Sequence, residues 1–180
     1  SNRWLSRFAN RVLAAFPSAF EAGQAELVGN PVRQSVIDIA TRDVSIPINM
    51  LVVGGSLGAQ VLNQTLPAAF KALNKTSAIN VWHQTGKGHL NSVEQAYKTH
   101  MFESDNVKVA EFIDDMDAAY AWADIVICRA GALTVSEIAA AGKMAVFVPF
   151  PHAVDDHQTA NAQYLVEADG ALLMQQRAFN

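Results

Sequence analysis

The chain has 180 residues, with 13 basic and 17 acidic side chains for a formal net charge of −4, and 51% of it is apolar against 17% charged. At roughly 150 residues per domain that is one domain and a remainder, long enough to bury a core and too apolar for a disordered chain. The mild acidity argues against a nucleic-acid partner, the single cysteine excludes an internal disulfide and fits a reducing compartment, and no apolar run approaches the ~20 residues of a membrane-spanning helix.

Charge is not evenly spread. Residues 1–33 carry Arg3, Arg7, Arg11 and Arg33 against Glu21 and Glu26, a net of +2, which leaves −6 for the rest. The chain opens on Ser and ends on Arg177-Ala178-Phe179-Asn180, so it reads as a fragment of a longer protein.

In chain order, Trp4, Phe8, Val12 and Phe16 recur every fourth position beside Arg3, Arg7 and Arg11, which predicts a helix over 3–16 that Pro17 ends. Such a basic amphipathic helix suits either a membrane surface, with Arg7 at its edge, or packing within a domain with a solvated Arg face. Residues 25–33 read as a short strand running into a Gly29-Asn30-Pro31 turn, and a domain boundary and linker fall near 31–46. Apolar runs then predict strands at 48–53, 79–83, 107–113, 125–128, 144–149 and 171–174. Helical patterns lie between them at about 58–73, 90–100, 116–122, 133–141 and 156–168. This alternation implies an α/β fold, a Rossmann-like parallel sheet with helices on both faces, whose ligands sit beyond the carboxyl ends of the strands.

The loops after the strands are therefore the candidates. Gly54-Gly55-Ser56-Leu57-Gly58-Ala59 leads into a helix and suits either a phosphate or a tight strand–helix turn; its spacing is not that of a dinucleotide fingerprint. Arg129-Ala130-Gly131-Ala132-Leu133 opens a second helix, where unpaired amides attract an anion. Thr134-x-x-Glu137 is a capping box by pattern, or Glu137 accepts the two hydroxyls of a ribose. Asp115-Met116-Asp117 resembles a metal-holding D-x-D pair, though an N-cap explains it better. Phe112 and Ile113 offer a base something to stack on and backbone groups to read its edge. His152, Asp155, Asp156 and His157 have some metal-ligand character but suit a loop and helix start better, with Gln158 and Asn161 on the following turns. His83 and Cys128 lie within apolar strands and read as core.

Taken together, L-V-V-G-G-S-L-G-A-Q-V-L-N, V-W-H-Q-T-G-K-G, E-F-I-D-D-M, A-D-I-V-I-C-R-A-G-A-L-T-V-S-E-I-A-A-A-G and D-D-H-Q-T-A-N-A resemble the MurG family, over almost the whole chain and in the family's order. The resemblance implies a GT-B glycosyltransferase with two Rossmann-like domains. Residues 1–33 would end the N-terminal acceptor-binding domain, and 34–180 would be most of the C-terminal UDP-GlcNAc-binding domain. The implied reaction is inverting transfer of GlcNAc from UDP-GlcNAc to lipid I, giving lipid II for peptidoglycan, with no cofactor and no metal. By the same resemblance Arg33 contacts the donor, Ser56 lies near the diphosphate, and the backbone at Ile113 reads uracil. Ala132, Leu133, Thr134, Val135 and Ser136 hold the phosphates and sugar, Glu137 the ribose diol, and Gln158 the GlcNAc hydroxyls. The catalytic groups would lie upstream, so the resemblance assigns none here. Some members carry Ser at the position of Ala130 and Gln-Gln at His157-Gln158. The family works as a peripheral enzyme on the cytoplasmic face of the bacterial inner membrane, meeting the membrane through its N-terminal domain. Two other readings stand beside it: a donor-binding subunit recruited by a separate membrane partner, and a nicotinamide-binding oxidoreductase.

Overall fold

The computed structural model describes residues 2–17, 20–21, 23–100, 104–151 and 156–178. The N-terminal segment departs from the predicted helix. A single turn, α1 (Asn2–Leu5), and a 3₁₀ turn over Ser6–Phe8 are followed by a short strand, β1 (Leu13–Ala14), paired in parallel with β2 (Glu26–Leu27). The carbonyls of Val12 and Ala14 accept from the amides of Glu26 and Val28 at 2.8 and 3.0 Å. A long-range partner thus takes the backbone groups that a marginal local helix would have used. Trp4 and Phe8 meet edge to face at 5.2 Å and stay exposed, whereas Phe16 is buried against Tyr164. The four period-four residues share no face, and the amphipathic-helix basis for a membrane contact goes with them.

The segment expected as a mixed linker contains one helical turn, α2 (Gln34–Ile37), with Val36 fully buried. Further on, Arg42 donates to the carbonyl of Trp122 at 2.7 Å and pairs with the buried Asp124 carboxylate, whose other oxygen accepts from the amide of Asn49 at 2.8 Å. The linker is tied by these bonds to the amino end of the sheet.

The remainder alternates as expected: β3 (Ile48–Val53), α3 (Gln60–Leu73), β4 (Ile79–Gln84), α4 (Leu90–Thr99), β5 (Val107–Ala110), α5 (Met116–Trp122), β6 (Ile125–Cys128), α6 (Ala132–Ala140), β7 (Met144–Phe147), α7 (His157–Val166) and β8 (Ala171–Leu173). The strands form one parallel sheet of order β5-β4-β3-β6-β7-β8. The expected strand 107–113 stops at Ala110, because the carbonyls of Ala110 and Glu111 turn to the amides of Thr85 and Gly86 beyond the end of β4.

Period-two side chains divide the core between the two sheet faces. Leu51, Val126, Cys128 and Phe147 pack with α2, α5, α6 and α7, while Met50, Val52, Val81 and Ile127 pack with α3 and α4. Burial on both faces explains why these strands read as unbroken apolar runs. Cys128 is core, its thiol pKa pushed up by burial.

His83 is also core, and polar bonds hold it there. Tyr97 Oη lies 2.9 Å from His83 Nδ1, His83 Nε2 lies 3.0 Å from Asn63 Oδ1, and Asn63 Nδ2 donates to the carbonyl of Thr85 at 2.9 Å. Since Asn63 uses its amide on Thr85, its oxygen must accept, so the imidazole proton sits on Nε2. Thr85 leads into a turn on which the loop after β3 rests. A Cβ on Gly86 would lie 2.2 Å from the amide nitrogen of Gly58, and one on Gly58 would lie 2.3 Å from the carbonyl oxygen of Thr85. Only glycine allows the two turns to touch, and both residues have positive φ.

Two stability predictions follow from this packing. Burial lowers the pKa of His83 from 6.5 to about 3, so the unfolded chain binds the extra proton first. Stability from this group is complete above pH 6.5 and is lost as pH falls toward 3. From pH 7 to 5 the loss is about 2 kcal/mol at ~1.4 kcal/mol per pH unit. Urea unfolding of His83→Gln should lack that part of the slope. Gly86→Ala should lose more than ~2 kcal/mol through its clash and its positive φ. Gly88→Ala has the same positive φ but open space at its Cβ, and should lose only about 1 kcal/mol.

Candidate functional site

Parallel order β4-β3-β6-β7 reverses direction between β3 and β6, so a crevice opens beyond their carboxyl ends. Two helices begin there. The turn Gly54–Ala59 carries Gly55 and Gly58 at φ +81° and +77°, and a Cβ on Gly54 would lie 2.7 Å from the amide nitrogen of Ala59. The tight-turn reading of this loop is correct. It does not displace the anion reading, because Ala59, the N-cap of α3, has no side-chain bond to offer the helix amides. Ser56 stands exposed on the turn, its carbonyl accepting from the amide of Lys87 at 3.2 Å.

After β6, Gly131 is the N-cap of α6 and again supplies no side-chain bond. The amide of Val135 reaches the carbonyl of Gly131 at 2.9 Å. Helix geometry leaves the amides of Ala132, Leu133 and Thr134 without intrahelical acceptors. The capping box suggested by Thr134 and Glu137 does not form, since the helix starts before Thr134. Of the six residues Ala132–Glu137, Val135 is core, and Ser136 Oγ bonds the carbonyl of Ala132 at 3.1 Å and accepts from Asn30 Nδ2 at 3.0 Å. Asn30 also donates to the carbonyl of Ala132 at 3.2 Å, which fastens the Gly29-Asn30-Pro31 turn to the start of α6.

Glu137, one turn further on, belongs to a charged cluster. Tyr120 Oη donates to its Oε2 at 3.1 Å, and Arg33 Nη2 lies 3.6 Å from its Oε1 and 2.9 Å from Asp117 Oδ1. Burial first, and the Glu137 carboxylate second, raise the pKa of Tyr120, so its hydroxyl remains a donor. The Asp115-Met116-Asp117 pair splits its work: Asp115 caps α5 by accepting from the amide of Ala118 at 2.9 Å, and Asp117 faces Arg33. Arg33 and Glu137, 104 positions apart in the sequence, are thus brought together beside Asp117, which the sequence offered only as part of a D-x-D or N-cap pattern, and Tyr120, which it did not single out.

At the far side of the crevice Ile113 is buried and Phe112 exposed. The amide of Ile113 donates to the side chain of Gln84 at 3.2 Å, so the backbone group left to read a base is the carbonyl. Gln84 was missed; the one hint was a polar run ending an apolar strand. On the other side lies a cavity of about 730 Å³ lined by Gly58, Gln64, His89, Arg129, Phe150 and Gln158. Gln158 Oε1 accepts from the amide of Phe150 at 2.9 Å, which leaves its Nε2 hydrogens as the donors. Arg129 donates to the carbonyls of Val148 and Pro149 at 2.9 and 3.0 Å, a half-buried cation whose pKa is lowered by burial. Asn161 ties α7 to the second helix start by donating to the carbonyl of Ala130 at 3.1 Å. His152 and Asp155 lie outside the described residues. Asp156 is the N-cap of α7 and His157 its first residue. Among the described residues no three His, Cys, Asp or Glu side chains group as a metal site, and no helix is long and apolar enough to cross a membrane.

Residues 49–180 match the family described as Glycosyltransferase family 28 C-terminal domain. The chain is 79% identical, over its full length and 50% of the relative's, to the UDP-N-acetylglucosamine--N-acetylmuramyl-(pentapeptide) pyrophosphoryl-undecaprenol N-acetylglucosamine transferase of Pseudoalteromonas translucida. It is 54% identical to the transferase of the same name from Shewanella violacea, over 98% of this chain and 49% of that one. The crystal structure of Acinetobacter baumannii MurG superposes with a TM-score of 0.82 at 43% identity, over 98% of this chain and 50% of that one. The kitacinnamycin glycotransferase, at 18% identity and a TM-score of 0.62, shares the fold alone. The chain spans about half the length of the curated relatives it matches. The Rossmann-like half of a GT-B glycosyltransferase expected from the loop motifs is therefore the fold observed, and the chain belongs to the glycosyltransferase family 28 C-terminal domain family.

Proposed function

We propose that residues 34–180 are the donor-binding domain of an inverting glycosyltransferase that moves GlcNAc from UDP-GlcNAc to lipid I, with residues 1–33 the end of an acceptor-binding domain. The observation that carries this reading is the pair of helix N-termini, α3 and α6, opening side by side beyond β3 and β6 with no side-chain cap on either. Backbone amides and helix dipoles there suit a diphosphate, and they suit it better as charge builds on the departing UDP. Ser56 adds a hydroxyl to the diphosphate, and Ala132, Leu133 and Thr134 add amides. Val135 and Ser136 act by packing and by anchoring that turn. Glu137 accepts the ribose diol, flanked by Arg33; the Ile113 carbonyl meets the uracil edge beside the exposed ring of Phe112. Gln158, at the wall of the cavity, offers its amide hydrogens to GlcNAc hydroxyls. The reaction itself would take place at the cytoplasmic face of the inner membrane, reached through the acceptor domain.

The names of the relatives support the substrates, since each names an N-acetylglucosamine transferase acting between UDP-N-acetylglucosamine and N-acetylmuramyl-(pentapeptide) pyrophosphoryl-undecaprenol. They give no support to a nicotinamide enzyme or to a subunit needing a separate membrane partner.

Loss of one hydrogen bond to a charged group costs roughly 1.5–3 kcal/mol, or about 10- to 100-fold in affinity. Calorimetric titration of the 180-residue chain with UDP-GlcNAc should show losses of that size for Ser56→Ala and Glu137→Ala, with little change in unfolding temperature for the exposed Ser56. Wild-type affinity in Glu137→Ala would refute the ribose assignment.

A further inference from the structure

Glu137 is held from two directions before any ligand arrives. Its Oε2 accepts from Tyr120 Oη at 3.1 Å, and its Oε1 lies 3.6 Å from the guanidinium of Arg33. The two flanking groups differ in rigidity. Arg33 is half exposed and is already engaged at 2.9 Å by Asp117. Tyr120 is 1% exposed, among the largest fully buried side chains, and packed in the core with Cys128, Val135 and Ile138. A ring locked by packing cannot swing, so its hydroxyl is a fixed point, and the carboxylate that accepts from it is fixed in turn.

A carboxylate oxygen has two lone-pair sites. Tyr120 takes one site on Oε2 and leaves the other, while Oε1 faces Arg33 across a longer gap. What remains is at least one acceptor site on each oxygen, side by side, a pattern that matches two neighbouring hydroxyls better than a single one. Without the tyrosine hydroxyl the carboxylate would be free to turn toward Arg33 and close on its charge.

We propose that Tyr120 is a positioning residue that aims the Glu137 carboxylate at a vicinal diol, and so makes the site select ribonucleoside over 2′-deoxyribonucleoside diphosphates. The inference rests on the reading that Glu137 accepts the ribose diol. Tyr120 touches no ligand; it acts through Glu137. A purely structural tyrosine would weaken both classes of ligand alike when altered, whereas a positioning one affects only the ligand that carries the diol.

The test is calorimetric titration of the 180-residue chain with UDP and with 2′-deoxyuridine 5′-diphosphate. The wild type should favour UDP by about tenfold or more. Tyr120→Phe, which removes only the hydroxyl, should lower UDP affinity about five- to tenfold and leave the deoxy ligand within about twofold, so the preference collapses. An unchanged preference in Tyr120→Phe overturns the proposal while the diol reading stands. No preference in the wild type overturns both. Asp117→Asn, an isosteric change at a partly buried position that keeps the Tyr120 hydroxyl, gives a second measurement should the phenylalanine variant not fold. It should retain the preference, and collapse there would place the aiming on the Arg33 side and overturn the proposal.

Discussion

Parallel pairing of β3 with β6, from Met50 beside Ile125 to Val53 beside Cys128, is the contact on which the site depends. It joins the first strand of the sheet to the fourth and sends the chain outward in opposite directions from that line. The helices that follow these two strands therefore start next to each other. Each starts on glycine-bearing turns with free amides, so two partial positive charges converge without any basic side chain. A net charge of −4 is no obstacle to such a site. Net charge speaks to polyanion surfaces, while a small anion is held by local dipoles.

The position of the first turn is set from beneath. Gly58 and Gly86 touch backbone to backbone, and the Thr85 carbonyl beside them is the terminus of a buried chain through Asn63 and His83 to Tyr97. A polar network within an apolar face is costly unless every member finds a partner. Here each bond has a direction fixed by the Asn63 amide. The same burial that makes His83 useless as a base makes it a rigid strut between α3, α4 and the turn.

On the opposite face the cluster of Arg33, Asp117, Tyr120 and Glu137 joins the N-terminal segment to the sheet domain. Asn30, three residues before Arg33, bonds the start of α6. The segment that the charge asymmetry sets apart is thus fastened beside the proposed nucleotide site.

The strands, the helices between them and the glycine turns were legible because each is written in short-range terms. Period two, period 3.6 and a glycine where φ turns positive all show within a few residues. The D-D-M-D run was equally readable, since an N-cap is a local bond. By itself, then, the sequence determined the α/β order, the core strands and the loops that face the crevice. Tertiary structure decided the rest. The predicted helix over 3–16 gave way to strand pairing with Glu26–Leu27, and the Thr134–Glu137 capping pattern gave way to a helix that starts at Ala132. It also set which groups Glu137 and the Ile113 amide meet: Tyr120, Arg33 and Gln84, each many positions away. The physical reason is one of range: local periodicity sets what a segment can become, but a polar side chain takes its partner from whatever the packed elements bring within 3 Å or so.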